Sequence, residues 1–209
     1  MKLGIPVYEG VDLLDVMGPC EMFGWVDPSK GLEVILLSEH GHGVTSGNGI
    51  RFEVHGSFES APNLDVLWVP GGALEALQRM LPHEHATYFE YLRRVSEKAT
   101  WVCSVCEGAL LLARAGLLKG HHATTHWAFV DCLAQFEGVH VDREHRRFVR
   151  SGNRLTCGGI SAGLDGALEL IKLLFDEKTA EGVQATTQYF PRPPVHGHLG
   201  KTPACMLHW

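Results

Sequence analysis

Short apolar runs alternate along the chain with longer segments in which apolar residues recur every three or four positions. The short runs predict β-strands, and continuous apolar runs are typical of strands that are covered on both faces. Strands are predicted at residues 3–8, 33–38, 51–55 (alternating, hence half-buried), 65–69 and 100–105. The amphipathic segments predict helices at residues 73–80, 84–98, 161–175 and 176–189. Residues 148–157 predict a hairpin with Ser151-Gly152-Asn153 at its turn.

This alternation of strands and helices predicts an α/β fold with a mostly parallel sheet between helices. Residues 1–190 contain no internal repeat or linker and are expected to form one domain. Residues 191–209, rich in Pro, Gly and His, are expected to form an irregular tail or an arm that covers a partner. Because chemistry in such sheets gathers at the carboxyl ends of the strands, candidate residues are sought there.

Composition excludes several classes of function. The chain of 209 residues carries 18 basic and 24 acidic residues, a net charge of −6, whereas nucleic-acid-binding domains usually present a basic face. No apolar run approaches the ~20 residues of a membrane span. The N-terminus lacks a signal-peptide pattern, so a cytoplasmic protein is expected. Six cysteines spread over such a chain predict reduced thiols.

The sharpest chemical signal surrounds Cys106. An apolar strand ends there, and Gly108 and an Ala/Leu-rich helix follow directly. A nucleophile on a tight strand-to-helix turn needs a small residue two positions later, and a helix N-terminus favours a thiolate. The alternative is a buried structural cysteine.

Cys103 and Cys106 also form a C-x-x-C pair. Cys103 lies on the strand, which disfavours a redox pair. No second pair of cysteines stands at zinc-ligand spacing, so no metal site is expected.

Three further positions are candidate partners of this thiol. Asp15 lies among apolar neighbours after the first strand, where desolvation would raise its pKa; the alternative is a helix cap or first-turn residue. His126 follows a short strand and is either a catalytic group or a core histidine. Gly71 and Gly72 end the strand at residues 65–69, where they form either an anion-binding nest of N–H groups or a plain tight turn.

Several motifs resemble those of the ThiJ/PfpI superfamily, which has the class I glutamine amidotransferase-like fold. They are the Cys-x-Gly elbow at Cys106, VPGG at 69–72, ATTHW at 123–127 and GGISAGLD at 158–165. LDVMGP, SVCEGALLLARAGLL and ATTHWAF are most similar to isocyanide hydratases and to the amidase-like domains of AraC-type regulators. The resemblance implies a flavodoxin-like three-layer sandwich, with its nucleophile elbow at Cys106, that usually forms a homodimer.

The same resemblance implies a reaction that needs no cofactor. Cys106 would attack the terminal carbon of an isocyanide, Asp15 would manage the protons, and water would release an N-substituted formamide from a thioimidate. By position, the backbone amides of Gly72 and Glu107 would stabilise the developing charge, with Gly71 in the same turn. A small-molecule substrate is therefore expected, with neither nucleic acid nor membrane as a partner.

Glu107 departs from this pattern, since hydratases usually carry threonine there and the protease-like branch carries histidine. The glyoxalase/deglycase branch has glutamate in place of Asp15, but its histidine matches His126. Two alternatives therefore stand beside the hydratase: a glyoxalase or deglycase, and a non-catalytic sensor in which oxidation of Cys106 is the signal. A stand-alone transcription factor is not expected.

Overall fold

A computed structural model of the protein describes residues 1–83 and 86–207. Its strands are β1 (Lys2–Pro6), β2 (Glu33–Ser38), β3 (Val44–Thr45), β4 (Arg51–Phe52), β5 (Gly56–Ser57), β6 (Val66–Val69), β7 (Trp101–Val105), β8 (His122–Ala123), β9 (His140–Val141), β10 (Phe148–Ser151) and β11 (Arg154–Cys157). Its α-helices are α1 (Leu13–Gly24), α2 (Leu74–Met80), α3 (Thr87–Ser96), α4 (Gly108–Arg114), α5 (Val130–Leu133), α6 (Ala162–Leu174) and α7 (Glu177–Thr186).

Seven strands form the central sheet in the order β10-β11-β7-β6-β1-β2-β5. All neighbouring pairs are parallel except the hairpin of β10 and β11. Helices α1, α6 and α7 pack together as one group, and α3, α4 and α5 as another. The predicted α/β fold with a mostly parallel sheet is confirmed.

Most predicted elements recur with shifts of one to three residues at their ends. The predicted strand at 51–55 is shorter: only Arg51–Phe52 is a strand, and it pairs with Val44–Thr45 outside the central sheet. The helix predicted at 84–98 is α3, and the first two residues of that prediction lie outside the described residues. Helix α5 was not predicted from the pattern because it has only four residues.

The centre of the core is β6, whose four residues are fully buried. The indole of Trp68 packs edge-on against Phe23 of α1, with ring centroids 5.5 Å apart. Helix α6 approaches the same ring closely at Gly166, where a Cβ atom would lie 3.3 Å from the Trp68 ring and 2.1 Å from Sγ of Cys157. The uninterrupted apolar character of β6 thus reflects helices on both of its faces.

The expectation that all six cysteines are reduced is wrong for one pair. Cys132 in α5 and Cys205 in the tail form a disulfide, with Cα atoms 4.6 Å apart. The other four cysteines are free. A sequence separation of 73 residues carries no signal for this pairing, which depends on where the tail returns to the domain.

The described part of the tail, residues 191–207, contains neither helix nor strand. It nevertheless ends in the core, because Leu207 is only 2% exposed. Among the described residues, no helix is both long and apolar enough to cross a membrane.

Candidate active site

Cys106 occupies a strained turn between β7 and α4. Its φ angle is +56°, a conformation that residues other than glycine adopt rarely and at an energetic cost. Hydrogen bonds on both sides hold this backbone. The N–H of Cys106 donates to the carbonyl of Gly158 at 2.9 Å, and the Thr125 hydroxyl donates to the carbonyl of Cys106 at 2.8 Å. The surrounding structure therefore fixes the direction in which the thiol points.

Gly108 makes this turn sterically feasible, as its position two residues after Cys106 predicts. A Cβ atom at this position would lie 2.1 Å from the carbonyl oxygen of Val69. The start of α4 thus rests directly on the end of β6, and only a hydrogen atom fits between them.

We expect Gly108→Ala to lower the free energy of unfolding by about 3 kcal/mol, because the clash is with backbone and cannot be relieved by a rotamer change. Denaturant unfolding measures this effect. Gly24→Ala is the matched control, since nothing lies within 4 Å of a Cβ atom there. Equal stability of the two variants would contradict the close packing of α4 on β6.

Asp15 lies in the first turn of α1, and the preceding Asp12 caps that helix by accepting from the N–H of Leu14. The two alternatives for Asp15 are therefore both correct in part: it is a first-turn residue of α1, and its side chain is completely buried. Its Oδ2 accepts a hydrogen bond of 2.9 Å from the N–H of Gly71, while no hydrogen bond to its buried Oδ1 is found among the described residues. Burial, with Asp12 and Glu107 nearby, raises its pKa well above the ordinary value.

Glu107 points inward and is only 6% exposed. Its Oε2 lies so close to Gly71 that a Cβ atom there would be 2.5 Å away. Burial raises the pKa of its carboxyl group to about 7, although the backbone N–H groups of Gly72 and of Glu107 itself stabilise the charged form.

These contacts change the expected roles of the glycine turn. The N–H of Gly71 is used by Asp15, and the N–H groups of Gly72 and Glu107, which the resemblance assigns to a substrate, lie against the Glu107 carboxyl group. In this conformation the side chain of Glu107 therefore takes the place where a developing negative charge would be stabilised.

The surroundings of Cys106 raise the pKa of its thiol, whereas the helix N-terminus was expected to favour a thiolate. Burial raises its pKa well above the usual value, and the neighbouring Asp15 and Glu107 raise it further. The backbone N–H of Ile160 acts in the opposite direction. Burial and the two acids therefore favour the protonated thiol.

His126 lies at the edge of the same site and caps the short 3₁₀ turn Trp127–Phe129. Its Nδ1 accepts from the N–H of Ala128 at 3.2 Å, so the neutral ring carries its proton on Nε2. Burial lowers its pKa. His126 is therefore a neutral donor near neutral pH rather than a cation beside the thiol.

A cleft of about 560 Å³ gives access to these groups. Its lining combines the predicted residues with a loop and a turn that the sequence analysis did not single out as site residues. The lining residues are Asp12, Leu13, Leu14, Met17, Gly47, Asn48, Gly72, Ala73, Leu74, Cys106, Glu107, His126, Phe129 and Ile160. The sequence around Asn48 indicates a Gly-rich turn and nothing that would mark Asn48 as a site residue. Ile160 has a φ angle of +37°, and the preceding Gly158-Gly159 pair marked that turn.

The structure thus brings Asp15, Cys106 and Glu107 into one cluster, in which a ligand atom from each lies within 4.8 Å of the others. A thiolate and two carboxylates are also ligands that zinc accepts, and this is the group among the described residues that can hold a metal ion. Both carboxyl groups already interact with backbone N–H groups of the glycine turn. We therefore interpret the cluster as a thiol flanked by two proton-carrying acids.

Comparison with known proteins identifies the family of the chain. The model of the DJ-1/PfpI family matches residues 1–173. The chain belongs to the DJ-1/PfpI family. The isonitrile hydratase of Pseudomonas putida is 37% identical to this chain over 194 residues, which cover 93% of this chain and 81% of that protein.

A solved structure and a group of regulators are also similar. A ThiJ/PfpI family protein from Pseudomonas syringae superimposes with a TM-score of 0.83 at 34% identity, covering 93% of this chain and 77% of that one. The HTH-type transcriptional regulator GbdR of Pseudomonas aeruginosa is 29% identical over 175 residues, which cover 81% of this chain and 46% of the regulator. The chain thus spans about half the length of that regulator. The flavodoxin-like sandwich of the DJ-1/PfpI family is confirmed.

Proposed function

We propose that the protein is a cysteine-dependent hydratase that converts an isocyanide into an N-substituted formamide, with Cys106 as nucleophile and Asp15 and Glu107 as proton carriers. The observation that carries this proposal is the thiol of Cys106, held on a strained elbow between two buried acids at the base of a cleft. The isonitrile hydratase of Pseudomonas putida, similar over most of both chains, supports the same substrate class, since isonitrile is another word for isocyanide.

The electronic character of this site suits the proposed substrate. An isocyanide is neutral and slender, and its terminal carbon is attacked by soft nucleophiles such as sulfur. A neutral thiol with acids beside it loses its proton only as the carbon–sulfur bond forms. The charge then appears in the transition state, where it is stabilised, and not in the resting site.

The proposed first step consumes no oxidant or reductant. Sulfur of Cys106 bonds to the terminal carbon, the thiol proton passes to a carboxylate of Asp15 or Glu107, and an acid delivers a proton to that same carbon. The product is a thioimidate, R–N=CH–S–Cys106. The high pKa values of both acids mean that one of them holds a proton near neutral pH.

In the second step, water adds to the thioimidate carbon, and an acid of the cluster protonates the nitrogen. Collapse of the tetrahedral adduct breaks the carbon–sulfur bond, returns a proton to Cys106 and releases R–NH–CHO. The sum is isocyanide plus water giving formamide. As water adds to the thioimidate, the Glu107 carboxyl would have to move away from the backbone N–H groups of Gly72 and Glu107 so that these groups can bind the developing charge.

The test is incubation of the purified protein with an alkyl and an aryl isocyanide in ¹⁸O-labelled water. We expect formamide whose formyl oxygen carries the label, measured by mass spectrometry. Absence of formamide with both isocyanides, from protein that is folded by circular dichroism, would refute the hydratase.

We expect Asp15→Asn to slow turnover by about a hundredfold or more, because the variant cannot relay a proton. Intact-protein mass spectrometry should then detect the accumulated adduct on Cys106, heavier than the protein by the mass of one isocyanide. Asp27→Asn, at an exposed helix cap away from the cleft, is the control and should turn over normally. Unchanged turnover in Asp15→Asn would remove this residue from the mechanism.

One observation favours a second candidate, a glyoxalase or deglycase. His126 lines the cleft with its Nε2 proton available, as a reaction on a carbonyl compound would require. Consumption of methylglyoxal that depends on both Cys106 and His126, with isocyanides inert, would support this candidate over the hydratase. The homodimer and the cytoplasmic location stay predictions.

A further inference from the structure

The tail returns to the domain beside the segment that carries His126. The disulfide joins Cys205 to Cys132, which lies six residues after His126. Near it, the backbone of Gly200 lies against the indole of Trp127, where a Cβ atom would be 3.9 Å from the ring. Leu207, beyond the disulfide, is buried in the core at 2% exposure. The tail therefore runs along the outer side of the residues that position His126.

A second cavity, of about 380 Å³, lies between the tail and the candidate active site. Leu199 of the tail forms one part of its wall, and Gly159, Trp127 and others form the rest. Two residues, His126 and Ile160, line both this cavity and the Cys106 cleft. Displacement of Leu199 would therefore open the second cavity, in which His126 and Ile160 form the side shared with the Cys106 cleft.

In the described part of the tail, residues 191–207, few interactions other than the disulfide are found that attach it to the domain. Within the described part of the chain, no hydrogen bond joins residues 191–207 to the rest of the domain. No strand pairing attaches this stretch to the sheet. Non-covalent attachments are the burial of Leu207, the contact of Gly200 with Trp127 and the packing of Leu199 in the wall of the second cavity. A segment held in this way depends strongly on its one covalent link.

We propose that the Cys132–Cys205 disulfide is a redox lock that straps the tail against the His126 segment and so controls how closed the Cys106 cleft is on that side. Reduction by a dithiol transfers two electrons and two protons to the pair, giving two protein thiols and a cyclic disulfide of the reductant. The tail is then released from Trp127, and the wall formed by His126 and Ile160 loses its outer support. The lock does not depend on the proposed hydratase reaction.

Hydrogen–deuterium exchange of the full chain tests the lock. Air-oxidised protein, protein treated with dithiothreitol and the Cys205→Ser variant are compared. We expect amides of residues 126–133 to exchange about tenfold faster in the last two samples, because the strap no longer supports them. Cys20→Ser, which removes a partly buried free cysteine of α1, is the control and should match the oxidised wild type. Equal exchange in all samples would overturn the proposal.

Limited trypsin digestion reports on the tail itself. Lys201 is exposed and is followed by Thr202, whereas Arg192 is followed by proline and resists cleavage. Reduction should accelerate cleavage after Lys201, and in oxidised protein the fragment from Thr202 onward should stay attached through Cys205. Detection of six free thiols in air-oxidised folded protein would show that the lock does not form.

The reaction of Cys106 with iodoacetamide links the lock to the cleft. The alkylated Cys106 peptide, quantified by mass spectrometry, should form several-fold faster in Cys205→Ser than in the oxidised wild type, since the reagent enters through the widened side. An unchanged rate would mean that the tail is released without affecting the cleft, which would also refute the proposal. This readout needs no isocyanide turnover, so it separates failure of the lock from failure of the hydratase.

Discussion

Cys106→Ser is expected to lower kcat/KM for isocyanide hydration by at least about a thousandfold. The reason lies in the burial of the thiol beside Asp15 and Glu107, where the thiolate is already disfavoured. A serine hydroxyl is far less acidic than a thiol and less nucleophilic toward a soft carbon, so the same two acids cannot activate it. The assay is formamide formation under substrate-limited conditions.

Two controls make this result specific. Cys20→Ser removes a free thiol from α1 and should keep the wild-type rate. The thermal unfolding midpoint of Cys106→Ser should stay within a few degrees of the wild type, because oxygen is smaller than sulfur and the backbone hydrogen bonds of the elbow are unaffected. A Cys106→Ser variant that retains most of its activity would exclude covalent catalysis at this position.

Glu107→Gln is expected to make the protein progressively more stable than the wild type as the pH rises. Burial raises the pKa of this carboxyl from 4.5 to about 7 in the folded protein. Below pH 4.5 the group is protonated in both the folded and the unfolded chain, and it contributes no pH dependence. Between pH 4.5 and 7 the unfolded chain loses its proton first, so the folded state loses stability. Above pH 7 the penalty is complete.

The shift corresponds to about 3 kcal/mol in the free energy of unfolding, at 1.36 kcal/mol per pH unit. Glutamine has the same shape and no charge, so the difference between variant and wild type should grow by that amount from pH 4.5 to 8. Denaturant unfolding at several pH values measures it. Glu181→Gln, at an exposed position on α7, should show no such growth. A constant difference for Glu107→Gln would mean that the carboxyl is ionised and solvated in the folded state.

The elements that the sequence predicted best are those whose pattern reflects local burial. The strand at residues 33–38 and the hairpin around Gly152 have the predicted bounds. The elbow at Cys106 was also predictable, because a small residue is needed two positions after the nucleophile and Gly108 stands there. In the structure, the start of α4 packs on the end of β6 at this glycine. Short elements such as α5 escaped prediction because four residues do not establish a period.

The electrostatic state of the site could be predicted from the sequence for Asp15 but not for Glu107. Asp15 was expected to have a raised pKa, and burial raises it, but the contacts that surround its carboxyl come from Gly71 and Cys106 rather than from Leu14, which is exposed. For Glu107, the residue type left open whether the carboxyl points to solvent or inward. The inward position of the Glu107 carboxyl requires a residue without a side chain at Gly71, which follows the end of β6.

By itself, the sequence determined the α/β order of elements, the elbow and the set of chemical groups gathered at the carboxyl ends of the strands, because each of these follows from local periodicity or local steric limits. Tertiary structure alone decided that the pKa of the Cys106 thiol is raised, that Glu107 lies against the glycine turn and that Cys205 pairs with Cys132. Desolvation and long-range contact depend on which distant segments pack together, and no local pattern encodes that.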